Sequence, residues 1–214
     1  MRVGNLPGIR RLPIYLDILR KLSESGLETV SAHILAEEAG LLVSVVRKDI
    51  EMTGATGKTG VGFCIDALVS NIETFLGWDN PYYAFLAGVG NLGSALLGYE
   101  GFRNHGLHIV AAFDVNPEAI GRVVHEVEVL HLDTLCGLAQ RLHVSTGIIT
   151  VPSAQAQGVA DLFVTAGITR IWSFAPKILR VPSNVTIQRE DLAAGLAELL
   201  VRSARRSERR PLVL

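Results

Sequence analysis

Gly88-Val89-Gly90-Asn91-Leu92-Gly93 is a G-x-G-x-x-G set between an apolar run, Tyr83 to Ala87, and a helix-like stretch beginning at Leu92. Those residue types at that spacing suit one task, the seating of a pyrophosphate. Gly88 permits the sharp turn, Gly90 lets the backbone approach the anion, and Gly93 lets the next helix pack on the strand. Unpaired N–H groups at the helix start then face the negative charge. The next strand-like run, Ala111-Ala112-Phe113-Asp114, ends on a carboxylate placed to hold adenosine ribose hydroxyls. A carboxylate there repels a 2′-phosphate, and Val115-Asn116-Pro117 supplies no Arg to reverse the preference, so NAD is favoured over NADP. The plainer reading is an ordinary glycine turn with an Asp capping a loop. Strand, glycines, helix and acid occurring in one unit weigh against it.

Two later loops belong at the rim of such a site, where the carboxyl ends of further strands close over the nicotinamide half. Thr150-Val151-Pro152 and Ser173-Phe174-Ala175-Pro176 each place a hydroxyl or backbone group beside a rigid proline. Simple loop punctuation explains the individual side chains equally well. A second set of candidates lies near the front of the chain. Ala36, Gly40 and Val46 occupy the small, turn and apolar positions at which helix-turn-helix units cross. Ser44, Arg47, Lys48 and Glu51 would then project from the second helix of that unit, with Arg47 and Lys48 able to reach phosphates or guanine edges and Lys58 able to add a backbone contact. A three-helix interaction domain with a solvated charged face is the alternative, and Asp49 and Glu51 are expected to offset the two basic residues. The six histidines are scattered; only His105 and His108 lie close together, at a turn entering a strand, where solvated loop residues are expected and no metal site is.

The elements that must position these groups follow from periodicity. Ile14, Leu16, Ile18, Leu19 and Leu22 predict a helix over Pro13 to Ser25, with Pro13 in its first turn. Ser31 caps a second helix closed by Gly40, and Ser44 to Met52 reads as a third. Gly54, Gly57, Gly60 and Gly62 suit a β-hairpin wing, Asp66 to Leu76 a closing helix, and the turn residues 77–81 a boundary. Beyond it, strand-like runs (Tyr83 to Ala87, Ile109 to Phe113, Gly147 to Val151, Thr169 to Phe174) alternate with helical stretches (Leu92 to Arg103, Asp133 to Leu142, Ala154 to Ala166). Val185 to Gln188 adds an edge strand. Asp191 to Arg206 forms a long helix whose Leu192, Leu196, Leu199 and Leu200 make an apolar stripe, followed by a solvated basic end with Arg209 and Arg210.

The expected class is therefore α/β: a winged-helix (helix-turn-helix) DNA-binding domain over 1–80, a Rossmann doubly wound parallel sheet over 81–188, and a terminal helix with a basic tail over 189–214. A formal net charge of -1 excludes a globally basic nucleic-acid binder, so any DNA-seeking patch is local. Cys64 and Cys136 have no C-x-x-C spacing, which argues against a disulfide framework or a thiolate zinc site. Met1 to Arg11 lacks a signal-peptide core and no apolar run reaches bilayer length, so a cytoplasmic protein without membrane contact is expected. A dehydrogenase would need a substrate domain and a positioned acid or base. The nucleotide fold consumes the chain that could supply them, which favours a sensor over an enzyme.

Arg47-Lys48-Asp49, the run Gly57 to Gly62, Gly88 to Gly93, Tyr99-Glu100-Gly101-Phe102, Ala112-Phe113-Asp114, Thr150-Val151-Pro152 and Phe174-Ala175-Pro176 together resemble Rex, the bacterial redox-sensing transcriptional repressors, in order from Leu12 to Ala193. The resemblance implies a homodimer whose C-terminal helix is swapped between subunits. It also implies an operator-DNA repressor that is released when NADH replaces NAD+. Arg11, Tyr99 and Asp191 match positions whose contacts change with the bound nucleotide. The chain departs from the family at Ile50 to Gly54, where a Leu-Ser-Tyr-Phe-Gly run is usual, in the wing at Thr56, Thr59 and Phe63, and at Ser173, where Asn is usual. A regulatory adaptor that binds NAD(H) but has weak or lost DNA binding is the alternative those departures raise.

Overall fold

A computed structural model describes residues 6–207; Arg209 and Arg210 of the basic end lie outside them, as do the side chains of Leu192, Arg205 and Arg206. The chain divides into two compact units, Met1–Pro81 and Tyr82–Leu214.

In the first unit, α1 (Leu6–Glu24) carries Leu12, Tyr15, Leu16 and Leu19 at helical spacing, all fully buried. The helix starts earlier than its periodicity predicts, and Pro13 sits inside it, not in its first turn. Proline there deprives the Ile9 carbonyl of its usual partner. Burial of Gly8 and Leu12 on the same stripe as Tyr15 holds the earlier turns in place. Thr29–Val30 (β1) leads to α2 (Ala32–Ala39), whose Ser31 hydroxyl accepts the Ile34 N–H at 3.2 Å and which Gly40 closes. Val43–Met52 (α3) follows, packing Val46 and Ile50 into the same core.

The predicted wing hairpin is much reduced. Its own pairing is a single bridge, Lys58 with Gly62, because a glycine-rich ribbon has few side chains to pack across a ladder. Phe63–Cys64 (β2) pairs instead with β1, antiparallel, in the register Thr29 to Cys64 and Val30 to Phe63. Ile65–Leu76 (α4) completes the core with Ile65, Leu68 and Ile72.

The second unit is built on a seven-stranded sheet: β3 (Tyr82–Ala87), β4 (Leu107–Asp114), β5 (Val123–Val124), β6 (Val127–His131), β7 (Thr146–Ile149), β8 (Arg170–Ser173) and β9 (Thr186–Arg189), in the spatial order β5-β6-β4-β3-β7-β8-β9. All neighbours are parallel except β5 and β6. Strand side chains alternate between faces. Phe85 and Ala87 of β3 point into one core, with α7 (Leu135–Leu142) and α8 (Ser153–Thr165). Ala84 and Leu86 point into the other, with α5 (Asn91–Leu97). Burial on both faces is why β3 reads as an unbroken apolar run.

The β5–β6 hairpin escapes sequence reading because its turn, His125-Glu126, holds both residues at positive φ (47° and 69°) without the Asn-Gly that normally announces it. The helix expected over Leu92 to Arg103 is two pieces, α5 and α6 (Gly101–Asn104), divided at Gly98. Residues 132–134 form a 3-10 turn before α7. Leu192–Ser207 (α9) closes the described chain, and its Leu196, Leu199, Leu200 and Val201 are exposed. No helix among the described residues is long and apolar enough to cross a membrane.

Candidate functional site

The strand order of the second unit reverses at β3, whose neighbours β4 and β7 continue the chain in opposite directions. A crevice must open there, at the carboxyl ends of the strands. It holds a cleft of about 810 Å³ lined from four strand ends: Gly88 and Gly90 after β3, Asp114 and Val115 at β4, Thr150, Val151 and Pro152 after β7, and Phe174 and Pro176 after β8.

The glycine loop is held by its surroundings more than by its own sequence. Gly88 has φ of +101°, and a Cβ there would lie 2.8 Å from Val151 Cγ1. A Cβ at Gly93 would run into the Gly88 carbonyl oxygen, so α5 can start only where residue 93 has no side chain. Gly90 is different, since a Cβ there would meet nothing within 4 Å. Its freedom from neighbours faces the cleft. These are three distinct demands, the ones a pyrophosphate cradle makes.

Asp114 does more than the ribose role predicts. Its Oδ2 accepts the Val89 N–H at 2.7 Å, while Oδ1 accepts the N–H groups of Val115 and Asn116 at 2.8 and 2.9 Å. The carboxylate thus ties the glycine loop to the end of β4 while still lining the cleft, and two oxygens offer enough lone pairs for further donors. The Thr150 hydroxyl is committed as well, donating to the Gly88 carbonyl at 2.6 Å, with the Ala87 carbonyl 3.0 Å away. Thr150 therefore braces the loop. Val89, Asn91, Leu92 and Gly93 do not line the cleft; Val89 supplies the N–H held by Asp114, and the other three form the first turn of α5.

Sequence reading missed Leu132, Gln155 and Val159 in the lining. Gln155 and Val159 fall one and two turns beyond Pro152 on α8, a spacing visible in the sequence once that helix is placed after the rim. Leu132 follows β6, the strand that went unread. Among the described residues, Asp114 is the one ionisable side chain lining the cleft, which offers no His, Lys, Cys or Tyr for acid–base work.

In the first unit Ser44, Arg47 and Lys48 are exposed on α3, as expected. Arg47 and Glu51 share a groove of about 620 Å³ with Lys58, Thr59, Gly60 and Val61 of the wing; Ser44 and Lys48 stand outside it. The expectation that Asp49 offsets the basic residues is overturned. Asp49 is fully buried and points inward, where Arg11 Nε and Nη2 donate to its two oxygens at 2.6 and 2.8 Å and the Tyr15 hydroxyl donates at 2.8 Å. The helical period explains it: position 49 lies three residues after Val46 and one before Ile50, on the core stripe. The pair raises the Arg11 pKa, chiefly through the hydrogen bond to Asp49, and burial followed by the same carboxylate raises that of Tyr15.

Of the three residues matched to switch positions, Arg11 is thus anchored within its own unit. Tyr99 is 56% exposed, with its ring edge-on to Phe102 at 4.9 Å. Asp191 caps α9, its Oδ1 accepting the N–H groups of Ala193 and Ala194 at 3.1 and 3.3 Å. His108 lies against Tyr83, with ring centroids 6.0 Å apart. Among the described residues no group of three or more His, Cys, Asp or Glu side chains could hold a metal ion.

Comparison with known proteins matches both units. Residues 6–50 fit the model of a putative DNA-binding protein N-terminus, and residues 79–177 that of a CoA binding domain. The redox-sensing transcriptional repressor Rex of Treponema denticola is 42% identical over 198 residues, covering 92% of this chain and 94% of that protein. The crystal structure of RSP in complex with β-NAD+ and operator DNA superposes with a TM-score of 0.88 at 32% identity, covering 97% of this chain and 95% of RSP. RSP in complex with β-NADH gives a TM-score of 0.83 at 31% identity, with 97% of each chain covered.

Proposed function

This chain belongs to the Rex family of redox-sensing transcriptional repressors, and from that premise we propose which of its own residues do the sensing and the reading. It is a repressor that binds operator DNA and responds to NADH against NAD+. The cradle of Gly88, Gly90 and Gly93 holds the pyrophosphate, Asp114 holds the adenosine ribose while keeping the loop closed, and Thr150, Pro152, Phe174 and Pro176 border the nicotinamide. The dinucleotide supplies a pyridine ring whose positive charge disappears on reduction. Since both redox forms share every other anchor, only residues near that ring can bias the protein between conformations. Phe174 at the cleft rim is placed to do so.

Ser44, Arg47, Lys48 and Lys58 read the operator. With Asp49 turned inward, Glu51 is the remaining acid of α3 on that face, and the adaptor alternative rests on Glu51 and the altered wing. The exposed apolar face of α9 fits a homodimer in which this helix is exchanged between copies. The cleft lacks an acid–base partner among its described lining residues, which favours a sensor and not an enzyme, acting in the cytoplasm where its DNA and nucleotide pools are.

The observation that carries this reading is the glycine cradle, braced by Asp114 and Thr150, in one chain with a basic-faced helix-turn-helix. Titrating operator binding with each nucleotide tests it. NADH should release the DNA at concentrations where NAD+ does not. Equal release by both would end the redox reading.

A further inference from the structure

Four aromatic rings of the nucleotide unit form an unbroken row. Phe174, in the cleft lining, has its centroid 4.9 Å from that of Trp172. Trp172 stands edge-on to Phe102 at 5.5 Å, and Phe102 edge-on to Tyr99 at 4.9 Å. The strand period explains the first pair: residues 172 and 174 share one face of the sheet at the end of β8, while buried Ser173 points to the other. The row also branches. Trp172 Nε1 donates to Glu190 Oε1 at 3.2 Å, and the next residue, Asp191, caps α9. One end of the row therefore lies in the nucleotide cleft, and the others lie at exposed Tyr99 and at the root of a helix whose apolar face is uncovered.

Contiguity by itself transmits nothing; a relay needs discrete alternatives and a reason for the ligand to prefer one. Both are present. Phe174 meets Trp172 at a tilt of 46°, and the two later contacts are edge-on; closely packed rings lose contact when moved, so a shift at Phe174 is either passed on or resisted. The negative faces of aromatic rings also attract a cation, so a pyridinium and its neutral reduced form meet this end of the row with different energies. A second ring pair, Phe113 with Phe85, also begins in the cleft lining, but it ends in the buried core of the opposite face and leads to no exposed surface.

We propose that Trp172 and Phe102 are positioning residues of the nucleotide response, coupling the state of the pyridine ring beside Phe174 to Tyr99 and to the root of α9. This rests on the assignment of the cleft to NADH and NAD+. The roles divide within Trp172: its ring carries the arm to Tyr99, and its Nε1–H carries the arm to Glu190.

The test uses the full chain with Trp172→Leu, Phe102→Leu, their combination, and Trp172→Phe, which keeps a ring but removes the N–H donor. Three quantities are measured for each: the affinities for NAD+ and for NADH, the operator affinity without nucleotide, and the ratio of operator affinities in saturating NAD+ and saturating NADH. The expected result for the leucine variants is nucleotide affinities and empty-protein operator binding within about threefold of the unmodified chain, with the ratio falling at least about tenfold toward one. The combined variant should fall no further than Trp172→Leu, because Phe102 receives its arm through Trp172. Trp172→Phe should give an intermediate ratio. A purely structural role would lower nucleotide and operator affinities together and leave the ratio alone, and that outcome overturns the proposal, as does a ratio unchanged in all variants. If Trp172→Leu does not fold, Phe102→Leu and Trp172→Phe decide by the same criteria. A ratio already near one in the unmodified chain would instead strike the redox reading and the relay with it, and is distinguished by needing no substitution.

Discussion

The two units prepare for anions by opposite means. In the nucleotide unit the described cleft lining contains an acid and no base, so an anion is left to backbone N–H groups that the glycine loop brings within reach. In the DNA-reading unit the cations are exposed side chains on a helix, and the precision lies behind them, in a buried carboxylate that fastens α3 to α1 through Arg11 and Tyr15. A backbone site fails when geometry fails. A side-chain site on a well-anchored helix loses strength gradually, and loses it to salt.

The largest effect is expected where that anchoring is cut. Arg11→Met removes the cation facing a buried carboxylate, which typically costs about 3–5 kcal/mol because the charge left behind is uncompensated. The chain's two tryptophans fall one to each unit, Trp78 against the first core and Trp172 against the second. Denaturation followed by Trp78 emission in a Trp172→Phe background therefore isolates the head. Arg11→Met with Asp49→Leu should recover most of the loss, since replacing the whole pair by apolar groups avoids the orphaned charge. Additive losses in the double variant would show that Arg11 and Asp49 do not act as a pair. Alkali offers a second probe. Tyr15 has its pKa raised by burial and by Asp49, so its contribution is complete below its ordinary value of 10.0 and is lost as pH climbs through the raised one. Tyr15→Phe should flatten stability across that alkaline range.

Next comes the backbone site. Gly93→Ala forces a Cβ against the Gly88 carbonyl. Overpacking of this kind costs roughly 3 kcal/mol at its upper end, about 100-fold in affinity for either nucleotide. Operator binding by the empty protein should survive, which calorimetry with nucleotide and a gel shift without it would separate. Gly90→Ala, whose Cβ meets no protein atom, should leave the fold untouched and weaken only the nucleotide.

What could be read from sequence divides along the same line. The candidate cleft was legible because its marks are local: glycines at fixed offsets and an acid at the end of the following strand. The α3 surface was legible for the same reason, since Ser44, Arg47 and Lys48 follow the helical period. Reading failed where an element or a role depended on distant partners. Asp49 was assigned to the surface field although its period places it inside; what makes a buried carboxylate tolerable is Arg11, 38 positions away. The β5–β6 hairpin was missed because His125 and Glu126 hold positive φ by context, and Leu132 was lost with it. Thr150 and Asp114 do line the cleft, but their commitment to Gly88 and Val89 is a tertiary fact. The strand period pairs residues 172 and 174, but the contact that joins the aromatic row, Phe102 on Trp172, links residues 70 positions apart and has no sequence signature.

Salt separates the remaining contacts. Arg47→Ala removes the one cation of α3 that lines the groove shared with the wing. A base-edge contact there would cost about 1–3 kcal/mol and relax specificity at one operator position. Competition between the operator and single-base variants reads both quantities, and a uniform loss across all sequences would reassign Arg47 to phosphate.

The smallest effect belongs to Lys58, which is exposed at the wing's single bridge with Gly62. Its ammonium sits on a long flexible stem and makes no ion pair among the described residues, the arrangement of a phosphate contact and not of a base reader. Lys58→Ala should weaken every DNA sequence alike, by roughly fivefold or on the order of 1 kcal/mol. It should also lower the slope of log affinity against log salt by about 1. Nucleotide affinity should not change, because nothing in the glycine cradle depends on a cation. A Lys58→Ala protein with an unaltered salt slope would remove the wing from the DNA contact and leave α3 alone to account for the side-chain mode of anion recognition.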